Sequence, residues 1–238
     1  MSIKTNINRR SMLLGMGASA GMLTAAGPAL ADTAKNREKA LDIVDDSARM
    51  VKRMRNGEYG RQINQLLAHS KGVMAFPSLL KGGFIFGGEG GTGVLLGRET
   101  DNSWSDPAFY TAGSGSWGLQ IGFQDSQVIM ILMSDSALLG ALDTELEVGA
   151  DASATAGSIG KDFEFSTTTE LKDIYFYAET KAGLYAGVSL EGSAFVTRQK
   201  LNTAYYGTAD ATPKAIVIDR KYRSQASGEL LSSLSLGG

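Results

Sequence analysis

Glycine opens or interrupts one short apolar run after another through the middle of this chain. Gly72-Val73-Met74-Ala75-Phe76, Gly83-Phe84-Ile85-Phe86, Gly93-Val94-Leu95-Leu96 and Tyr185-Ala186-Gly187-Val188-Ser189-Leu190 all have this form. Runs of this length, bounded by Gly or polar pairs, read as strands. A glycine inside a strand marks a sharp bend, or a place where another backbone comes too close for a side chain. Gln127–Leu132 and Ile174–Tyr177 add further apolar runs of strand length. Strands interrupted in this way predict a sheet that coils, because coiling and closure need such bends. The 30 glycines follow no G-X-Y period, which excludes collagen, and they are too many for a helical bundle. With 43% apolar residues the chain can bury a core of its own.

Helical spacing flanks this region. Leu41, Val44, Ala48 and Val51 recur at intervals of three and four, which predicts a helix over 36–55 that Asn56-Gly57 stops. A shorter helix is expected over 61–68, with Ile63, Leu66 and Leu67 inward. From Lys71 to about Ile218 the pattern reads as strands and tight turns, with one helix inserted over 134–142. Leu230, Leu231 and Leu234 predict a last helix over 227–236. The expected fold is α+β: a glycine-rich, strongly curved, mainly antiparallel sheet or partly closed barrel. It carries an N-terminal helical segment (32–70) and a short C-terminal helix, the β-rich domain running over 71–238.

Residues 1–31 read as an export signal. Lys4, Arg9 and Arg10 form a positive start, an apolar Gly- and Ala-rich stretch follows from Met12 to Ala26, and Ala29-Leu30-Ala31 offers an A-x-A cleavage site before Asp32. Arg9-Arg10 ahead of a weakly apolar stretch resembles a twin-arginine signal, which predicts a periplasmic protein. With no cysteine there is no lipidation site, so a lipoprotein anchor is not expected. Removing the signal takes three of 23 Lys+Arg, leaving 20 against 25 Asp+Glu and a net charge of −5. Nucleic-acid binders carry a basic excess, so no nucleic-acid partner is expected.

The motifs that point to catalysis fail on context. G-x-G-x-x-G occurs at Gly88–Gly93 and at Gly113–Gly118, each followed by a strand-like run. A dinucleotide fingerprint needs a helix there, since the helix N-terminus holds the pyrophosphate. His69 is the one histidine, and with zero Cys it builds no common zinc site. It falls where a helix meets the first strand, which suits a helix-terminal role. Asp106, Asp125, Asp135, Asp143, Glu145, Glu147 and Asp151 show no acid–base spacing, and the serines lack a nucleophile elbow. The chain reads as a non-enzyme without metal or cofactor.

Two segments attract a binding reading. Arg49, Lys52, Arg53 and Arg55 cluster late in the first helix. They suit a helix lying at a membrane surface, but the interleaved acids, with Asp45 four residues before Arg49, favour a docked helix with a solvated flank. Trp104-Ser105-Asp106-Pro107-Ala108-Phe109-Tyr110 reads as an aromatic loop that rims a ligand or closes one end of the β-core.

In order, Lys71-Gly72-Val73-Met74-Ala75-Phe76-Pro77, Lys81-Gly82-Gly83-Phe84, the glycines from Gly87 to Gly93, Trp104–Phe109, Gly113–Gly122, Gly149–Ser153 with Gly157, Gly183–Gly192, and Asn202 with Tyr205-Tyr206-Gly207 resemble the SYLF-domain family across nearly the whole chain after the signal. The resemblance gives structural roles to Gly83, Gly88, Gly91, Trp104, Pro107, Phe109, Gly187, Glu191, Gly192, Tyr206 and Gly207. It implies binding of phosphoinositides or other anionic phospholipids, here at a bacterial cell envelope. Lys52, Arg53, Arg55, Lys71, Lys81 and Lys181 would supply the head-group contacts. Ala178–Ala182 holds one acid and one base where many relatives are more basic. The alternative is a periplasmic carrier of a small apolar molecule. Eukaryotic members are linked to actin, but the export signal makes actin an unlikely partner on this reading.

Overall fold

In the computed structural model the apolar spacing of the first segment becomes the long helix α1 (Gly27–Arg55). The structure describes residues 27–79, 91–114, 126–142, 145–147, 173–180, 183–186 and 193–235. Lys52, Arg53 and Arg55 fall in the last turn of α1, where positive charge offsets the partial negative charge of the helix end. Asn56 Nδ2 donates to the Lys52 carbonyl at 2.7 Å and the Gly57 N–H to the Met54 carbonyl at 3.2 Å. The chain then turns into α2 (Gly60–His69). The expected cleavage site before Asp32 falls within the first turns of α1. Arg9-Arg10 and the apolar stretch that follows lie outside the described residues.

Among the described residues eight strands follow: β1 (Gly72–Leu79), β2 (Thr92–Gly97), β3 (Ala108–Ser114), β4 (Ser126–Leu132), β5 (Glu145–Glu147), β6 (Ile174–Thr180), β7 (Gly183–Ala186) and β8 (Ser193–Thr197). They form one sheet in the order β5-β8-β3-β2-β1-β4-β6-β7, and every described pairing is antiparallel. Both faces are apolar, because helices cover both. Val73, Val94, Leu96, Phe109, Ile131 and Tyr177 pack with α1, α2 and the C-terminal helices. Met74, Phe76, Leu95, Tyr110, Met130 and Phe195 pack on the other side with α3 (Asp135–Leu142) and α5 (Pro213–Val217).

The second face is concave. Phe76 on β1 and Phe195 on β8 bring their ring centroids to 5.3 Å, although β2 and β3 lie between them. On a flat sheet three strand spacings would hold them about 14 Å apart. Gly93 makes the approach possible: a Cβ there would sit 2.3 Å from the Ala75 carbonyl and 2.5 Å from the Phe76 ring. Phe76 therefore lies across β2 where any other residue would lift it off. The curved antiparallel sheet with flanking terminal helices is the architecture expected from the sequence. Gly93 and Gly113, from the two G-x-G-x-x-G motifs, sit in strands β2 and β3, as the bend reading requires.

The structure corrects the reading of residues 104–218 in two places. The aromatic block is half loop and half strand, with Phe109 and Tyr110 inside β3. Two helices occupy ground assigned to strands, α4 (Gln199–Tyr206) and α5. Tyr205-Tyr206 favours a pleated surface, which masked the helical spacing of buried Leu201, Ala204 and Tyr205. Gly207 ends α4 at φ 76, with its N–H on the Thr203 carbonyl. Thr212 caps α5 by accepting from the Ala215 N–H, with Pro213 at the first helical position, a standard start signal. Helix α6 (Gly228–Leu234) lies within the expected last helix. Among the described residues no helix is long and apolar enough to cross a membrane.

Candidate functional site

Helix α1 docks its apolar stripe. Val44, Val51, Met50 and Met54 are buried against the sheet and neighbouring helices, so that stripe is closed to a bilayer while the fold is intact. A polar stripe alongside it, Asp45, Arg49, Lys52, Arg55 and Asn56, faces a groove of about 530 Å³. Ala48 of α1, Asn64 of α2 and Glu229, Ser232 and Ser233 of α6 complete the lining. Leu230 and Leu234 of α6 are buried, and helical spacing turns Glu229 and Ser232 away from them, with Ser233 at the half-buried edge between.

The cationic residues expected to act together are separated by their partners. Arg53 Nε donates to Glu179 at 3.0 Å, with the guanidinium also on Gln127. It thereby ties α1 to β4 and β6. Arg55 turns inward. Its Nε donates to Asn64 Oδ1 at 2.5 Å and its Nη1 to the carbonyls of Ser233 and, at 3.0 Å, Ser235. It thus caps the C-terminal end of α6, and burial pulls its pKa below the ordinary guanidinium range. Lys71 sits beyond the far end of α2 and pairs with Asp135 at 3.3 Å. Arg49 pairs with Asp46 rather than with Asp45. Lys52, fully on the groove side, makes no ion pair among the described residues, and neither do Asp45 and Glu229. Lys81 and Lys181 lie outside the described residues. Groove residues Asn64, Glu229, Ser232 and Ser233 escaped the sequence reading. The polar edge of the last helix was visible there, but not that it docks beside α1.

The motif residues gather elsewhere. Trp104 is buried, with the Arg98 guanidinium 6.0 Å from its ring centre. The Asp106 carboxylate is buried and accepts from the Ser224 N–H and the Ser227 hydroxyl, each at 2.8 Å, with Arg223 at 3.6 Å. Tyr206 donates to the Pro107 carbonyl at 2.7 Å, and the Phe109 N–H donates to buried Asn202 Oδ1 at 2.8 Å. Phe109 meets Tyr205 edge-on at 5.2 Å. Burial raises the pKa of both Tyr205 and Tyr206. The Gly91 carbonyl accepts from the Ala112 N–H at 2.8 Å, holding β2 to β3. Gly83, Gly88, Gly187, Glu191 and Gly192 lie outside the described residues. His69 Nδ1 stands 2.9 Å from the Gln65 carbonyl at the end of α2, the helix-terminal place expected for it. No cluster of three or more His, Cys, Asp or Glu able to hold a metal occurs among the described residues.

A family model described as Ysc84, Las17-binding protein actin regulator, matches residues 113–235. The chain belongs to the Ysc84 family. This is the family that its SYLF motifs resemble. Protein YSC84 of Saccharomyces cerevisiae is 34% identical over 174 residues, 71% of this chain and 36% of the yeast protein. LAS seventeen-binding protein 3 of the same yeast is 33% identical over 160 residues, 65% of this chain and 34% of that protein. SH3 domain-containing YSC84-like protein 1 of Xenopus laevis is 31% identical over 172 residues, 71% of this chain and 50% of the frog protein. The chain thus spans between about a third and a half of the length of the curated relatives it matches. These findings correct the expectation about actin: the Ysc84 family is described by actin regulation and Las17 binding, so an export-like N-terminus was no ground for setting actin aside.

Proposed function

We propose that this Ysc84-family chain is a non-enzymatic binding module that engages phosphate groups at an anionic phospholipid surface through the α1–α6 groove. The observation that carries the reading is Lys52, a cation without an ion pair facing a groove lined with amide and hydroxyl donors. The apolar stripe of α1 is already used in the core, so the contact is with head groups rather than acyl chains. Each Lys or Arg near such a surface contributes about 1 kcal/mol. The test is co-sedimentation with phosphatidylcholine vesicles with and without phosphatidylglycerol, at low and physiological salt. Binding should rise when phosphatidylglycerol is added, weaken as salt screens it, and fall in the Arg49→Gln/Lys52→Gln variant. Equal pelleting of variant and parent would remove the groove as the contact. The carrier reading has less behind it, since Phe76 and Phe195 fill the concave face where an apolar ligand would sit.

A second reading rests on the family description: a role in regulating actin, or in binding a Las17-type protein. Co-sedimentation with actin filaments tests it directly, and a chain that stays in the supernatant at saturating filament would not support it. The compartment belongs to the proposal too. Arg9-Arg10 would direct the chain through a twin-arginine route to the periplasm. Export unchanged by Arg9→Lys/Arg10→Lys would point to another route.

A further inference from the structure

The groove is polarised along its length. Arg55 reaches the Ser233 and Ser235 carbonyls, so the C-terminal ends of α1 and α6 lie together. Glu229, at the other end of α6, is thereby placed toward the Asp45 end of the groove. From Asp45 to Lys52 is seven residues of helix, roughly 10 Å. One end therefore offers the carboxylates of Asp45 and Glu229, and the other offers Lys52 with Asn56, Asn64 and Ser232. Arg55 occupies the Asn64 carbonyl oxygen, which leaves the Asn64 amide N–H groups to donate. Arg49, between the two ends, is neutralised by Asp46. Carboxylates and a cation facing one groove without pairing each other leave room for a ligand that brings both opposite charges.

We propose that this groove recognises the head group of phosphatidylethanolamine, a zwitterion with a primary ammonium and a phosphate diester. The ammonium donates to Asp45 and Glu229, and the phosphate accepts from Lys52, Asn64 and Ser232. Phosphatidylcholine carries the same charges, but its quaternary ammonium has no N–H to donate. The carboxylates therefore discriminate between the two. A purely anionic head group would place no donor against Asp45 and Glu229 and leaves that end of the groove unmatched. The inference rests on the phosphate-binding reading above and names its head group.

The experiment is co-sedimentation of the full chain with three vesicle compositions at physiological salt: phosphatidylcholine alone, phosphatidylcholine with phosphatidylethanolamine, and phosphatidylcholine with phosphatidylglycerol. The expected result is binding to the phosphatidylethanolamine vesicles well above the phosphatidylcholine control. Asp45→Asn/Glu229→Gln should weaken that binding by at least roughly tenfold, the lower end of what one of the two lost charge-assisted hydrogen bonds is worth, while phosphatidylglycerol binding holds or rises. Lys52→Gln should weaken both. Melting temperatures of the variants confirm that these exposed changes leave the fold intact. Soluble phosphoethanolamine should compete with the phosphatidylethanolamine vesicles. Binding to phosphatidylglycerol but not to phosphatidylethanolamine above the control overturns the inference and leaves the broader reading standing. No binding to either overturns both. Unchanged phosphatidylethanolamine binding in the double carboxylate variant overturns the assignment of the ammonium.

Discussion

At the start of α6 the Asp106 carboxylate is closed in by Ser224, Ser227 and Arg223; along the side of the same helix, Asp45 and Lys52 of α1 share a groove with Glu229 and none of the three is in an ion pair. Both clusters join α1 or the sheet to the C-terminal segment, and both are rich in charge. They differ in burial and in satisfaction. A buried charge is tolerated only when hydrogen bonds replace its water, and Asp106 meets that condition from segments far apart in sequence. The groove charges stay in water, so nothing in the fold requires them to find partners. The first cluster holds the domain together, and the second is available to a ligand.

The largest effect that tests this contrast is loss of Asp106. Asp106→Ala leaves the Ser224 N–H and the Ser227 hydroxyl without their acceptor in a buried place. It should destabilise the fold by about 3 kcal/mol, read from denaturant unfolding, with the C-terminal segment exchanging its amide protons faster. A variant as stable as the parent would remove the structural role given to this cluster.

Alkali attacks the buried side in another way. The raised hydroxyl pKa of Tyr177, Tyr205 and Tyr206 comes first from burial. Because the folded values lie above the unfolded value of about 10, the unfolded chain loses these protons first. Stability from these groups is whole below about pH 10 and is lost as pH rises toward the folded values. Tyrosinate absorbance from the buried rings should therefore appear only together with unfolding, followed by circular dichroism. Smooth ionisation of all tyrosines in a folded chain would show that these rings are open to solvent.

Much of the fold was legible because it rests on local pattern. The α1 stripe, the glycine-opened strands and the last helix each follow from spacing or from a stop signal within a few residues. Gly93 was legible as a close approach, though not what approaches; that Phe76 crosses β2 to meet Phe195 depends on the curvature of the whole sheet. Helix α4 was lost because Tyr205 and Tyr206 favour strands locally, while contacts with α1 and β3 decide their state. The candidate site was less legible still. Sequence grouped Lys52, Arg53 and Arg55 as one basic cluster, but one helical turn sends Arg53 to Glu179, Arg55 to the end of α6 and only Lys52 into the groove unpaired. Which cation remains available is set by tertiary partners, and periodicity carries no information about those.

Asn202→Ala sits between the extremes. It removes the acceptor for the Phe109 N–H inside β3, and the cost should be about 1–2 kcal/mol. Lys52→Gln, on the groove side, should change stability by less than about 0.5 kcal/mol. The same change should cost vesicle binding about 1 kcal/mol, roughly fivefold. Stability and binding would thus part in opposite directions at the two clusters, measurable by melting and by sedimentation of the same preparations.

The smallest expected effect belongs to Arg53, and it sharpens the comparison most. Arg53 is a neighbour of Lys52 in sequence and carries the same charge, so a model of α1 as a uniformly basic surface predicts equal losses from Arg53→Gln and Lys52→Gln. The structure predicts unequal ones. Arg53 is half exposed and already paired with Glu179 at 2.9 Å, so its charge is largely neutralised where a vesicle would feel it. Its replacement should cost at most about 1 kcal/mol of stability, the range of an exposed ion pair. Vesicle binding should change by less than about twofold, because removing a neutralised cation alters the local field little. The Glu179→Gln variant completes the test: it frees Arg53 and should raise binding to phosphatidylglycerol vesicles at low salt. If Arg53→Gln and Lys52→Gln weaken binding alike, and Glu179→Gln does nothing, pairing does not govern which cations meet the lipid, and the separation of α1 into a tied side and an open side loses its functional meaning.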